Sequence, residues 1–114
     1  MADIREIVRS SARLAVLRYL GESPSYHSNT SVVQEWLATI ALDMTRGEVE
    51  TLCAWLAERD LVTVESIDTI KVVRLSTRGA DVVAGRVVVD GVKRPSPGDV
   101  MRGAANAARS LLDG

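Results

Sequence analysis

The chain has 114 residues, enough for one domain with a single modest core, and its net charge of −1 leaves no global pull toward nucleic acid or anionic lipid. Its 46% hydrophobic and 25% charged residues are ordinary for a globular protein, and its one cysteine, Cys53, rules out an intramolecular disulfide and a thiolate zinc cluster. No apolar run approaches bilayer-spanning length and the first residues lack a signal-peptide core, so no membrane association is expected and the cytosol is the expected compartment.

Charge is unevenly placed. Residues 1–20 carry four Arg against two acids, residues 43–68 seven acids against two Arg, and residues 69–114 eight Lys or Arg against four acids. Aromatic residues are only 4%, with no Phe, so aliphatic side chains must fill the core.

Residues 3–20 predict an amphipathic helix with Ile4, Ile7, Val8, Leu14 and Ala15 on one face. Arg5, Arg9 and Arg13 form a ridge on the other face, read as solvated. Arg18 falls on the apolar side, so either it snorkels or the helix begins nearer Arg9 with a different core phase. Residues 21–29 read as a connector, with Gly21 capping the first helix and Pro24 forbidding its continuation. His27, the lone histidine, has no second ligand nearby and reads as a surface loop residue.

Ser31 is expected to begin the second helix, with Gln34 in the capping-box position and Val32, Val33, Trp36, Leu37, Ile40 and Ala41 as the buried stripe. Asp43 and Met44 form the turn. Thr45 then caps the third helix, with Glu48 as its reciprocal partner and Val49, Leu52, Cys53 and Leu56 facing the core. Cys53 inside that stripe reads as a buried, inert thiol. The alternating runs at 61–65 and 70–76 predict two strands joined by a short turn at 66–69. Thr77 caps a short helix bounded by Gly79 and Gly85. Val87 to Val89 lead into a tight turn at Asp90-Gly91, and the two prolines of the basic stretch 93–98 resist helix and sheet. The last residues favour a helix with a narrow apolar stripe that includes Val100, Leu111 and Leu112.

A capped helix that feeds directly into a two-stranded ribbon predicts a mainly α fold with a small β-hairpin: a winged helix-turn-helix plus a C-terminal helix. The expected division is a body at 1–92, a Pro-rich linker at 93–98 and a helical tail at 99–114. No catalytic constellation, metal-spaced cluster or phosphate-cradling glycine loop is visible, so no enzyme, metal or cofactor is expected.

Such a fold points to double-stranded DNA, because its third helix enters the major groove in many winged and related modules. Here the outward face of that helix carries Glu50 and Glu58 and no base. Arg46 at its start is the one well-placed cation. Phosphate contact would fall instead to Lys71 and Arg74 in the ribbon, Arg78 after it, and Lys93 and Arg94, unless these are dispersed solubilising charges. The same acidic helix suits a protein partner, with Glu50, Trp55 and Glu58 as contact residues and the apolar tail able to reach a neighbouring subunit.

The segments RLAVLRYL (13–20), AWLAERDLVTVE (54–65) and LSTRGADVVAGRVVVDGVKRPSPG (75–98) resemble a small winged-helix-like family of Mu-like phages and prophages. The last segment is the most specific. The resemblance implies a protein of the bacterial host cytoplasm, encoded near head-assembly and packaging genes, with no catalytic residues to carry over. It implies a DNA-associated regulator or packaging accessory; the alternative is an adaptor or homo-oligomerisation module that binds a packaging or assembly protein without touching DNA.

Overall fold

The computed structural model describes residues 3–98. Within them the fold is mainly helical, with four α-helices and one three-stranded antiparallel sheet. The order is α1 (Ile4–Glu22), a 3-10 turn (Pro24–Tyr26), β1 (His27–Asn29), α2 (Thr30–Thr39), α3 (Arg46–Glu58), β2 (Val62–Ile67), β3 (Ile70–Leu75) and α4 (Thr77–Val83).

The helical spacing along α1 is real, but only its second half is covered. Ala12, Leu14, Ala15, Val16, Leu17 and Leu20 are buried. Ile4, Ile7 and Val8, expected in the core, are 76%, 51% and 44% exposed. Packing from the last described segment reaches α1 at Ser10, whose carbonyl accepts from the Lys93 N–H at 3.1 Å. The turns before that point overhang the body.

Gly21 does not cap α1. The helix runs through it to Glu22, and Ser23 closes the end, with its N–H donating to the Leu20 carbonyl and its hydroxyl to the Tyr19 carbonyl at 2.7 Å. The connector also hides a strand. His27, Ser28 and Asn29 pair with Arg74, Val73 and Val72, which makes β3 central in the order β1-β3-β2. His27 is therefore a half-buried strand residue rather than a loop residue, its ring Nδ1 lying 3.1 Å from the Pro24 carbonyl. Three residues are too few for alternation to show in the sequence.

Because β1 holds Asn29 extended, Asn29 rather than Ser31 caps α2, its side chain accepting from the Val32 N–H. Gln34, expected in a capping box, donates instead to the Met44 carbonyl at 3.0 Å. Val33 and Leu37 are fully buried and Trp36 is half-buried against Tyr19, with ring centroids 4.9 Å apart. Val32, Ile40 and Ala41, expected in the stripe, are exposed.

The start of α3 is as read. Thr45 accepts from the Glu48 N–H and Glu48 accepts from the Thr45 N–H, a complete capping box. Val49, Leu52, Cys53 and Leu56 are its buried residues. Two helices end through a left-handed residue that is not glycine: Ala41 (φ 63) after α2 and Asp60 (φ 60) after α3. In each exit one N–H reaches back to the carbonyl five residues earlier, Leu42 to Leu37 and Leu61 to Leu56.

The hairpin registers Val62 with Leu75 and Ile67 with Ile70, so only Asp68 and Thr69 form its tip. Only its base is covered, by Val62 and Val73. Val64, Ile67 and Ile70 are exposed. Ser76, one residue before the expected Thr77, caps α4 by accepting from the Gly79 N–H, and its own hydroxyl donates to the Asp60 carbonyl at 2.6 Å. Gly79 is needed here: a Cβ would collide with the Leu61 backbone carbonyl and with Leu75 Cδ1. The Asp90-Gly91 turn forms, with Gly91 at φ 92, but no strands flank it. The chain crosses back over α1 instead.

Candidate binding surfaces

The two flanks of α3 differ in how their charges are used. On one flank the Trp55 indole is stacked between two guanidinium groups, Arg13 at 3.8 Å and Arg59 at 3.6 Å from the ring centroid. Arg59 is held there by donating Nη1–H to the Trp55 carbonyl at 3.0 Å. Arg13 donates Nη1–H to the Gly91 carbonyl at 2.9 Å and meets Glu6 at 3.2 Å. Its side chain is only 12% exposed, which corrects the reading of the Arg5/Arg9/Arg13 ridge as uniformly solvated. Gly91 is the residue that fits against this stack, since a Cβ there would lie 2.7 Å from Trp55 Cζ2. Trp55, expected as a partner contact, is thus occupied inside the molecule. The pairing joins residues 78 positions apart and leaves no local signal.

On the other flank α3 and the hairpin enclose a groove of about 410 Å3, lined by Glu50, Ala54, Ala57, Glu58, Val64 and Lys71 among others. Lys71 Nζ lies 3.3 Å from Glu50 Oε2, with both side chains partly exposed. Glu58 lies 3.6 Å from Arg59 Nη1. Cys53 forms part of the groove's floor but is 1% exposed, and its thiol is pushed up to about 12 by burial and by the Glu50 charge, which agrees with an inert core thiol.

The expected DNA-contact residues do not converge. Arg46 is tied to α2, donating Nε–H to Gln34 Oε1 at 3.0 Å and Nη2–H to Ser31 Oγ at 3.1 Å. Strand alternation sends Lys71 with buried Val73 toward α3, whereas Arg74 is exposed on the opposite face of β3. Arg78 donates Nε–H to the Arg59 carbonyl at 3.2 Å. Lys93 and Arg94 are exposed beside a separate cleft of about 450 Å3, walled by Val82, Val88, Val92, Pro95 and Pro97. Glu50 and Glu58 do share one face. Val100, Leu111 and Leu112 lie outside the described residues, as do the expected tail helix and its contacts.

Among the described residues, no group of three His, Cys, Asp or Glu gathers where it could hold a metal ion, and no helix is long and apolar enough to cross a membrane.

No family model and no solved structure matches the chain. Two relatives do. The uncharacterized protein gp26 of Escherichia phage Mu is 40% identical over 94 residues, covering 82% of this chain and 97% of gp26. An uncharacterized protein of Haemophilus influenzae is 35% identical over 65 residues, covering 57% of this chain and 63% of that protein. At that identity, across nearly all of gp26, the chain belongs to the Mu gp26 family of phage proteins.

Proposed function

We propose that this chain is a non-enzymatic winged-helix protein of a Mu-like phage or prophage, acting in the host cytoplasm by protein contact during head assembly or DNA packaging. The order helix, strand, two helices and hairpin, with the first strand paired to the last, supports the winged-helix reading. The observation that carries the choice of partner is the outer side of α3. It presents Glu50 and Glu58 around small residues, and its nearest cations, Lys71 and Arg59, are each close to one of those acids. Affinity for duplex DNA comes largely from cations on phosphate. Pressing this helix into a groove would bring two carboxylates against the backbone. A protein surface with basic groups meets the same face favourably.

One observation favours a second reading, a DNA-associated regulator or packaging accessory. Arg74, Lys93 and Arg94 are exposed, away from α3. Fluorescence anisotropy with a labelled random duplex, at low and at physiological salt, separates the two. Protein contact predicts no saturable binding at either salt. Binding that weakens steeply with salt, and that Arg74→Ala/Lys93→Ala/Arg94→Ala removes, would replace the first reading with the second.

A further inference from the structure

The cleft beside Lys93 and Arg94 is open and almost wholly aliphatic. It measures about 450 Å3 and is walled by Val82, Val87, Val88, Val89, Val92 and Pro95, with Pro97 the last residue of the chain to line it. Val88 is 56% exposed although it stands in this wall. Apolar surface of this kind gains by being covered.

Pro97 also begins something. The two prolines of 93–98 are expected to resist helix, yet Pro97 and Gly98 take helical backbone. Proline is tolerated at the first position of a helix, where its missing N–H has no bond to lose. Ser96 stands just before it, in the place of an N-cap, and Asp99 three residues on completes the sequence pattern of a helix start. A helix counted from Pro97 sorts the remaining residues into two sides. At about 100° per residue, Val100, Met101, Ala104, Ala108, Leu111 and Leu112 all fall within about 60° of Pro97. Asp99, Arg102, Asn106, Arg109, Ser110 and Asp113 all fall about 120° or more away from it. The apolar stripe of 99–114 is thus in phase with Pro97, and Pro97 lines the cleft.

We infer that residues 99–114 lie as a helix across the mouth of this cleft in the same molecule, with Val100, Met101 and Ala104 over Val88 and its neighbours. A helix this short is marginal alone in water and needs a surface for its apolar side. The cleft is of a size to take side chains rather than a whole helix, so the helix crosses it instead of filling it. The occupant is the chain's own continuation because the helical backbone starts inside the cleft. Asp99 follows Gly98 directly, and no linker is left to carry the stripe to another molecule. A segment tethered this closely meets its cleft at an effective concentration in roughly the mM range. The charged residues of 99–114 stay in water. The groove beside α3 is not involved, so the inference stands apart from the α3 reading.

Thiol alkylation on the full chain tests it. Cys53 is 1% exposed and its thiol is pushed up to about 12, so an introduced cysteine is the group that reacts with iodoacetamide. Ala104→Cys, on the stripe, should react at least ~10-fold more slowly than Asn106→Cys, on the opposite side, and the two rates should become equal in denaturant. Val88→Cys in the cleft should react slowly, and adding Met101→Asp should speed it at least ~10-fold. Both protections should be the same at every protein concentration. Cys53 left unmodified in each sample shows that the body is folded. Equal rates at positions 104 and 106 without denaturant, or a Val88→Cys rate that Met101→Asp leaves unchanged, overturns the inference. Protection that grows with protein concentration also overturns it, because the stripe would then come from a second copy.

Discussion

The Trp55 flank of α3 and its Glu50/Glu58 flank lie on the same thirteen-residue helix, yet one is closed and the other open. On the first, two arginines, an indole and the Gly91 turn lock α1, α3 and the last described segment together. On the second, two glutamates border small residues, with Lys71 close to Glu50 and Arg59 close to Glu58. Net charge therefore says little about partners here. Arg13 and Arg59 are engaged internally, Arg46 and Arg78 are tied to neighbouring elements, and the acids of α3 remain outside.

Substitutions on the two flanks should have very different effects. Trp55→Ala removes the plate between two guanidinium groups and should cost about 3 kcal/mol in chemical denaturation, whereas Glu58→Ala should stay within about 0.5 kcal/mol. Equal costs would mean that the indole is not part of the packed body. Gly91→Ala comes next. Its Cβ would meet both Trp55 Cζ2 and Arg13 Nη1, at a backbone angle that side chains rarely adopt, and a loss of about 2 kcal/mol is expected. The double variant Gly91→Ala/Trp55→Ala should lose less than the sum, since the collision partner is gone.

The smallest effect lies at the start of α3. Backbone and side-chain hydrogen bonds from Thr45 hold the Glu48 carboxylate below its usual value of 4.5. A depressed folded pKa contributes stability that is present above the unfolded value and is lost as pH falls through the folded one. Glu48→Gln should therefore melt slightly below wild type at neutral pH, and the two curves should draw together as the pH falls through the folded-state titration of the carboxylate. A gap that persists in acid would mean that the side chain's shape, not its charge, closes the cap.

What could be read from residue types alone followed locality. Thr45 with Glu48, the Val49/Leu52/Cys53/Leu56 stripe and the alternating hairpin each need only neighbours within a few positions, and all three appear in the fold. Ile4, Ile7 and Val8 have the right spacing for a core, but spacing does not reveal where the covering body ends. Asp60 and Ala41 end their helices in a conformation that glycine would have advertised. The strand at His27–Asn29 exists only because β3 lies beside it. For the candidate surfaces, the shared face of Glu50 and Glu58 was visible in helical periodicity. The occupation of Trp55 was not, because both of its remote neighbours, Arg13 and Gly91, come from far along the chain.

The return of residues 91–93 onto α1 also has a kinetic side. The Gly91 carbonyl and the Lys93 N–H serve groups on the first helix that emerge from the ribosome long before them. Until those late residues arrive, Arg13 has Glu6 but not the Gly91 carbonyl as an acceptor, and the Trp55 edge lies bare. A nascent chain can form its helices as it is made, but the body closes only once nearly all of it has been translated, so its last step must wait on the slowest kind of contact.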